Sequence, residues 1–156
     1  MFFLFRNSLS DQRLLMAALA CVWCVRLGLW LLPFRVVSSM VDKFIRANSI
    51  SDQSKELQLA RKVGSIVRRV SRYVPAASCL TQALATHVLL ARSGHRSHLR
   101  IGVTKGVNGG LDAHAWVESN GKIIIGRRND LRKYTLLHRF EETTPHDDRI
   151  LHNRYP

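Results

Sequence analysis

The chain is poor in carboxylates. Its 156 residues carry 11 Asp and Glu against 24 Lys and Arg, a formal charge of +13. Between Glu56 and Asp112 there is no acidic residue at all. Cysteine is sparse too, with three in the chain. Cys21 and Cys24 have a C-x-x-C spacing, but no second pair completes a zinc site. Both lie in an apolar helix-like run, where small buried hydrophobes are the simpler assignment. Nothing here demands an oxidising compartment. The recognisable nucleic-acid modules are missing: no zinc finger, no aromatic-studded strand platform and no phosphate loop. No repeat is visible. His95 and His98 share a Ser-Gly-His-Arg-Ser-His loop without further ligands, so neither a metal nor a cofactor is expected.

What is present bounds the class. A hydrophobic share of 46% argues against disorder, and the length suits one domain with an appendage. The positive charge suits an acidic partner, whether an anionic membrane surface or an acidic peptide, or it is simply a solvated basic face. Arg61, Lys62, Arg68, Arg69, Arg72, Arg92, Arg96, Arg100 and Lys105 all fall in the carboxylate-free stretch.

Three regions follow from composition. Residues 1–50 form an apolar helical N-terminal segment, 51–137 a core, and 138–156 a weakly ordered tail holding Glu141, Glu142, Asp147 and Asp148. Residues 14–34 are apolar apart from Arg26 and approach the roughly 20 residues of a membrane span. A central arginine disfavours insertion, cations flank both ends, and no signal-peptide cleavage site follows. Residues 10–45 read as one or two helices that dock on the core, on a membrane surface or on a partner. Ser8-Leu-Ser-Asp11 resembles a reciprocal helix cap.

A polar boundary at residues 46–56 precedes a helix from Glu56 to Tyr73, with Leu59, Val63, Ile66, Val67 and Val70 at helical spacing. Val74-Pro75 ends it. A second helix opens near Ser78, buries Leu80, Ala83, Leu84, Val88 and Ala91, and stops at Gly94. The period then becomes strand-like over His98–Thr104 and Asp112–Ser119. Asn120-Gly121 is a hairpin signal, and Lys122–Ile125 returns as a third strand. Helices followed by an antiparallel meander define an α+β fold.

Cys79 opens the second helix, and His114 lies in Leu111-Asp-Ala-His-Ala-Trp-Val-Glu. Strand parity puts His114, Trp116 and Glu118 on one face and the small Ala113, Ala115 and Val117 on the other. A thiol at a helix N-terminus, among cations and facing an imidazole, is how cysteine nucleophiles are made. A lone cysteine in an alanine-rich helix is ordinarily core packing. The histidine strand is what lifts Cys79 above that.

The segments Cys79-Leu-Thr-Gln-Ala-Leu-Ala, Leu89-Leu-Ala-Arg-Ser-Gly-His, Leu99-Arg-Ile-Gly-Val and Ala113-His-Ala-Trp-Val-Glu-Ser-Asn-Gly together resemble the lasso-peptide leader-peptidase family. The resemblance spans roughly residues 60–137. It implies a transglutaminase-like, papain-like core and a cytoplasmic cysteine peptidase that removes the leader from a ribosomally made bacterial precursor peptide. By that resemblance Cys79 is the nucleophile and His114 the base and acid. Residues 1–60 are too few and too apolar for a fused leader-binding domain, so a separate leader-recognition protein and an ATP-dependent cyclase are the implied partners. The family's orienting aspartate is expected about a dozen residues past the histidine, where this chain has Gly126 and Arg127. Asp130 is the expected third member, with Asn129 and Asp112 as alternatives. Gln82, one turn from Cys79, is either an oxyanion donor or a solvated residue. Two other functions stay open: a different acyl transfer on the same scaffold, and a non-catalytic membrane or partner adaptor.

Overall fold

The computed structural model describes residues 9–48, 56–106 and 109–137. The Ser8 cap, most of the 46–56 boundary and the expected tail over 138–156 lie outside the described residues.

Pro33 divides the apolar N-terminal segment into two helices, α1 (Leu9–Leu31) and α2 (Phe34–Asn48). Proline cannot continue a helix, and its carbonyl accepts the Val36 amide at 2.9 Å at the start of α2. Helix α3 (Glu56–Val70) runs into a short 3-10 turn at Ser71–Tyr73. Val74 is then extended, at φ −109° and ψ 114°, as expected before Pro75. Helix α4 (Cys79–Arg92) begins behind Ser78, whose hydroxyl accepts the Thr81 amide at 3.4 Å.

The remaining chain forms an antiparallel sheet of β1 (His98–Lys105), β2 (Leu111–Ser119), β3 (Lys122–Ile125) and β4 (Thr135–Leu136), in the order β3-β2-β1-β4. Asn120 and Gly121 have φ of 50° and 69°, the positive pair that an Asn-Gly hairpin turn requires. The meander read from the sequence has three strands; β4 adds a fourth, pairing with β1 through Gly102–Leu136 and Val103–Thr135. A bulge interrupts the β2–β3 ladder. Val117 pairs with Ile125 while Glu118 pairs with Ile123, so Ile124 is the extra residue. Helix α3 crosses closely there: a Cβ on Gly64 would stand 2.8 Å from the Ile124 carbonyl oxygen. Only glycine permits that approach.

Packing makes α4 the central element. Helices α1, α2 and α3 and strand β2 all pack against it. The sequence assigned it one buried face. In the structure Thr81, Ala85, Thr86, His87, Leu89 and Leu90 are buried as well, because α1 and α2 cover the side that a two-layer fold would leave wet. Leu80 and Val88, expected in the core, are half-buried. Ala18, Val22, Val25, Val37 and Val41 of the first two helices share one apolar cluster with Val63, Leu84, Val117 and Ile125. Residues 9–48 are thus part of the core itself. Removing a side chain such as the fully buried Leu84 would cost about 2–5 kcal/mol.

The far face of the sheet carries a second, smaller cluster of Trp116, Leu131 and Tyr134. Strand parity explains the division. Ala115 and Val117 face the helices, while His114, Trp116 and Glu118 face this smaller cluster.

Candidate active site

Cys79 is the first residue of α4 and half-buried. Its position is set locally. The 3-10 turn ends at Val74, whose carbonyl accepts the Ala77 amide at 3.3 Å. Between them Ala76 has φ 55°, an uncommon value for a residue with a Cβ. Arg26 of α1 braces this turn, its Nε donating to the Pro75 carbonyl at 3.3 Å. That bond accounts for an arginine within an otherwise apolar helix. Sequence reading treated Arg26 only as an obstacle to membrane insertion.

His114 is buried on β2. Its Nε2 lies 2.7 Å from the carbonyl oxygen of Gly126. A carbonyl only accepts, so Nε2 carries the proton and Nδ1 is left as the basic nitrogen. The ring stacks on Trp116, with centroids 6.2 Å apart and planes 18° apart, and meets Tyr134 at 5.8 Å. Trp116 is itself fixed, donating from Nε1 to Glu118 Oε1 at 2.8 Å. Arg100 stands 3.7 Å from the other carboxylate oxygen. Trp116 and Tyr134 together therefore flank the imidazole.

Cys79 and His114 come from opposite layers, since α4 packs on one face of β2 and the imidazole projects with the other. They line one cavity where the ladder stops. Strand β3 ends at Ile125, paired with Val117, so the strand does not extend beside His114. There the chain continues as Gly126–Asn129, and a cavity of about 480 Å³ opens, lined by Arg68, Cys79, Gln82, His114, Gly126, Arg127 and Asn129. Gln82, left open as donor or solvated residue, is half-buried and contributes to this cavity.

Gly126 has φ +83°, and a Cβ there would lie 2.6 Å from the Ala115 carbonyl oxygen and 2.7 Å from Trp116 Cβ. Glycine is the one residue that can turn the chain at this point and aim its carbonyl at the ring. Folding the hairpin evenly about Asn120-Gly121 would set residue 127 opposite His114. The extra residue Ile124 would shift that position to 128, but the ladder stops at Ile125. Gly126 turns the chain at that point, and its carbonyl is what faces the imidazole.

Asp130 does not line the cavity. Its two oxygens receive Arg128 Nε at 3.1 Å and Nη2 at 3.5 Å. Asp112 is likewise engaged elsewhere, accepting the Tyr134 hydroxyl at 2.7 Å and Arg128 Nη1 at 3.5 Å. Asn129 does line the cavity. Arg128 also sits 5.5 Å over the Tyr134 ring. The hydrogen bond to Asp112, and then burial, push the Tyr134 hydroxyl up to about 12, so it stays protonated at neutral pH and donates. The two aspartates thus reach the histidine indirectly, by fixing Arg128 and the tyrosine that packs on the imidazole.

The C-x-x-C cysteines stand apart from this site. Burial pushes the Cys21 thiol up to about 11, and its Sγ points at the Ala85 carbonyl at 3.8 Å. Cys24 is exposed, a correction to the expectation that both are buried: three residues fall about 60° short of a full turn, which carries Cys24 off the covered face of α1. No group of three or more metal-ligating side chains occurs among the described residues.

A cysteine at a helix start and a histidine on an antiparallel strand, sharing one cavity, define the architecture of cysteine-dependent acyl-transfer enzymes. The family model described as the transglutaminase-like superfamily matches residues 28–139, and the chain belongs to that superfamily. The match begins inside α1, in keeping with the shared packing of the N-terminal helices and the core. No curated protein and no solved structure matches the chain.

Proposed function

We propose that the protein is a cysteine peptidase that cleaves the leader from a ribosomally made lasso precursor peptide. Cys79 is the nucleophile and His114 the base and acid. The observation that carries the chemistry is the shared cavity: a helix-start thiol and an imidazole whose Nε2 is already committed to a carbonyl. The substrate class rests on the residue pattern, namely C-L-x-Q-A-L, the L-x-I-G-V strand and A-H-A-W-V-E.

In this reading Nδ1 of His114 takes the thiol proton, and sulfur attacks the scissile carbonyl. The negative charge on the tetrahedral intermediate falls among backbone N–H groups at the start of α4, with the Gln82 amide beside them. The C–N bond breaks as the imidazolium returns the proton to the leaving amine. Water, deprotonated by the same nitrogen, then opens the thioester and restores the thiol. The Gly126 carbonyl takes the part usually given to a side chain, holding the tautomer and the ring plane through both steps. Asp130 and Asp112 act as positioning residues through Arg128 and Tyr134.

A small recognition protein presents the leader in trans, and a separate ATP-dependent cyclase receives the freed core peptide. The test is to incubate precursor, recognition partner and this chain and follow the peptide by mass spectrometry. Release of an intact leader and core supports the reading, and an uncut precursor with all components folded rejects it. The mass of a thioester trapped on Cys79 distinguishes peptide cleavage from transfer of a small acyl group on the same scaffold.

A further inference from the structure

Helix α1 is apolar all the way round, yet only one side of it is covered. A helix of that kind is ordinarily buried on every side. Ala18, Val22 and Val25 face the core. On the opposite face Met16, Trp23, Leu27, Trp30 and Leu31 follow one another at helical spacing, and all are exposed. Trp30 is 75% exposed and Leu31 70%. The stripe continues past Pro33 onto α2 through Met40. A contiguous patch of this size on a small protein marks an interaction surface.

The surroundings indicate what covers it. Arg13 lies at one end of the stripe, and Arg35 and Lys43 at the other, all exposed. Among the described side chains of these two helices the one carboxylate is Asp11, tied to Lys62 of α3. A second copy meeting this face about a two-fold axis would set cations against cations. A negatively charged lipid surface offers the opposite sign, and two exposed tryptophans suit the boundary between headgroups and acyl chains.

We infer that the outer face of α1, with the start of α2, docks on an anionic membrane surface, lying in the plane of the interface and leaving the fold intact. The helix does not cross the bilayer. A span would break its packing on α3 and α4, the Asp11–Lys62 pair and the Arg26 bond to Pro75. The polar side that an interfacial helix normally turns to water is here replaced by the protein's own core. This inference does not depend on the peptidase reading.

The test is flotation of the full chain with phosphatidylcholine vesicles, with and without phosphatidylglycerol. The chain is expected to float with the anionic vesicles and stay behind with the neutral ones. Tryptophan emission should shift to the blue, and the shift reports on Trp23 and Trp30 because Trp116 is already buried. Trp30→Gln with Leu31→Gln, both on the exposed face, should keep the circular dichroism spectrum and lower partitioning by at least about tenfold. Arg13→Glu with Lys43→Glu should do the same and leave emission without vesicles unchanged. Several outcomes overturn the inference: no flotation with either vesicle, equal flotation of the Trp30/Leu31 variant, resistance to carbonate extraction as expected of a span, or a dimer in solution that this variant converts to monomer.

Discussion

The two halves of the site are built in different ways. The nucleophile side is mostly local: within the six residues 74–79 Val74 ends one turn, Ala76 bends back, Ser78 caps, and Cys79 starts α4, with Arg26 as the one brace from afar. The imidazole side is assembled from afar. His114 depends on a carbonyl twelve residues on, on a glycine that turns the chain where the ladder stops, and on Tyr134 just before β4. A nucleophile set by short-range signals tolerates changes elsewhere. A base set by long-range contacts does not, so equivalent substitutions should cost more on the histidine side.

The largest effects remove the chemistry on either side. Cys79→Ala and His114→Ala should each lower kcat/KM by about a thousandfold or more, with unchanged circular dichroism. Next is the carbonyl that faces the ring. Gly126→Ala puts a Cβ against the Ala115 backbone at a positive φ, so unfolding in urea should show a loss of about 2–4 kcal/mol. If Gly126→Ala were as stable and active as the parent, the long-range account of the imidazole would be wrong.

A third prediction concerns the helix that carries the thiol. His87 is buried on α4, its Nδ1 2.7 Å from Ser97 Oγ, and burial, then the neighbouring His98, push it down from 6.5 to about 4. The unfolded chain therefore binds this proton more readily than the folded one. Its stabilising contribution is complete above pH 6.5 and fades as pH falls towards 4. The loss is on the order of 3 kcal/mol at most. Thermal midpoints should drop across that window, and His87→Gln should flatten the slope.

Smaller effects sharpen the contrast. Ser78→Ala removes a cap whose bond is long, at 3.4 Å, so it should cost about 1 kcal/mol or less in urea unfolding. Asp130→Ala frees Arg128 but leaves the Gly126 bond in place, and should change kcat by no more than about threefold. A loss comparable to that of His114→Ala would instead give Asp130 a direct part in catalysis.

The same contrast decides what could be read from the sequence. The helix start at Ser78-Cys79, the stop before Pro75, the Asn120-Gly121 hairpin and the parity of β2 are short-range patterns, and each stands in the structure. The partner of His114 was not legible. A carbonyl has no residue type to search for, and extending the hairpin from Asn120-Gly121 assumes a ladder that in the structure stops at Ile125. A glycine directly after Ile123-Ile-Ile125 was the available signal. The wider burial of α4, through Thr81, Ala85, Thr86 and His87, has no local signal either, because the helices that cover those residues come from the N-terminal segment. The contact between Arg26 and Pro75 spans 49 positions, and no local pattern announces it.

The most direct measurement is the rate at which iodoacetamide alkylates Cys79 at neutral pH, followed by peptide mapping in the native chain and in His114→Ala. No substrate or partner is needed. If sulfur and imidazole act together across the cavity, Cys79 in the native chain should react at least about tenfold faster than in the variant. Equal rates, with both proteins folded, would contradict the account.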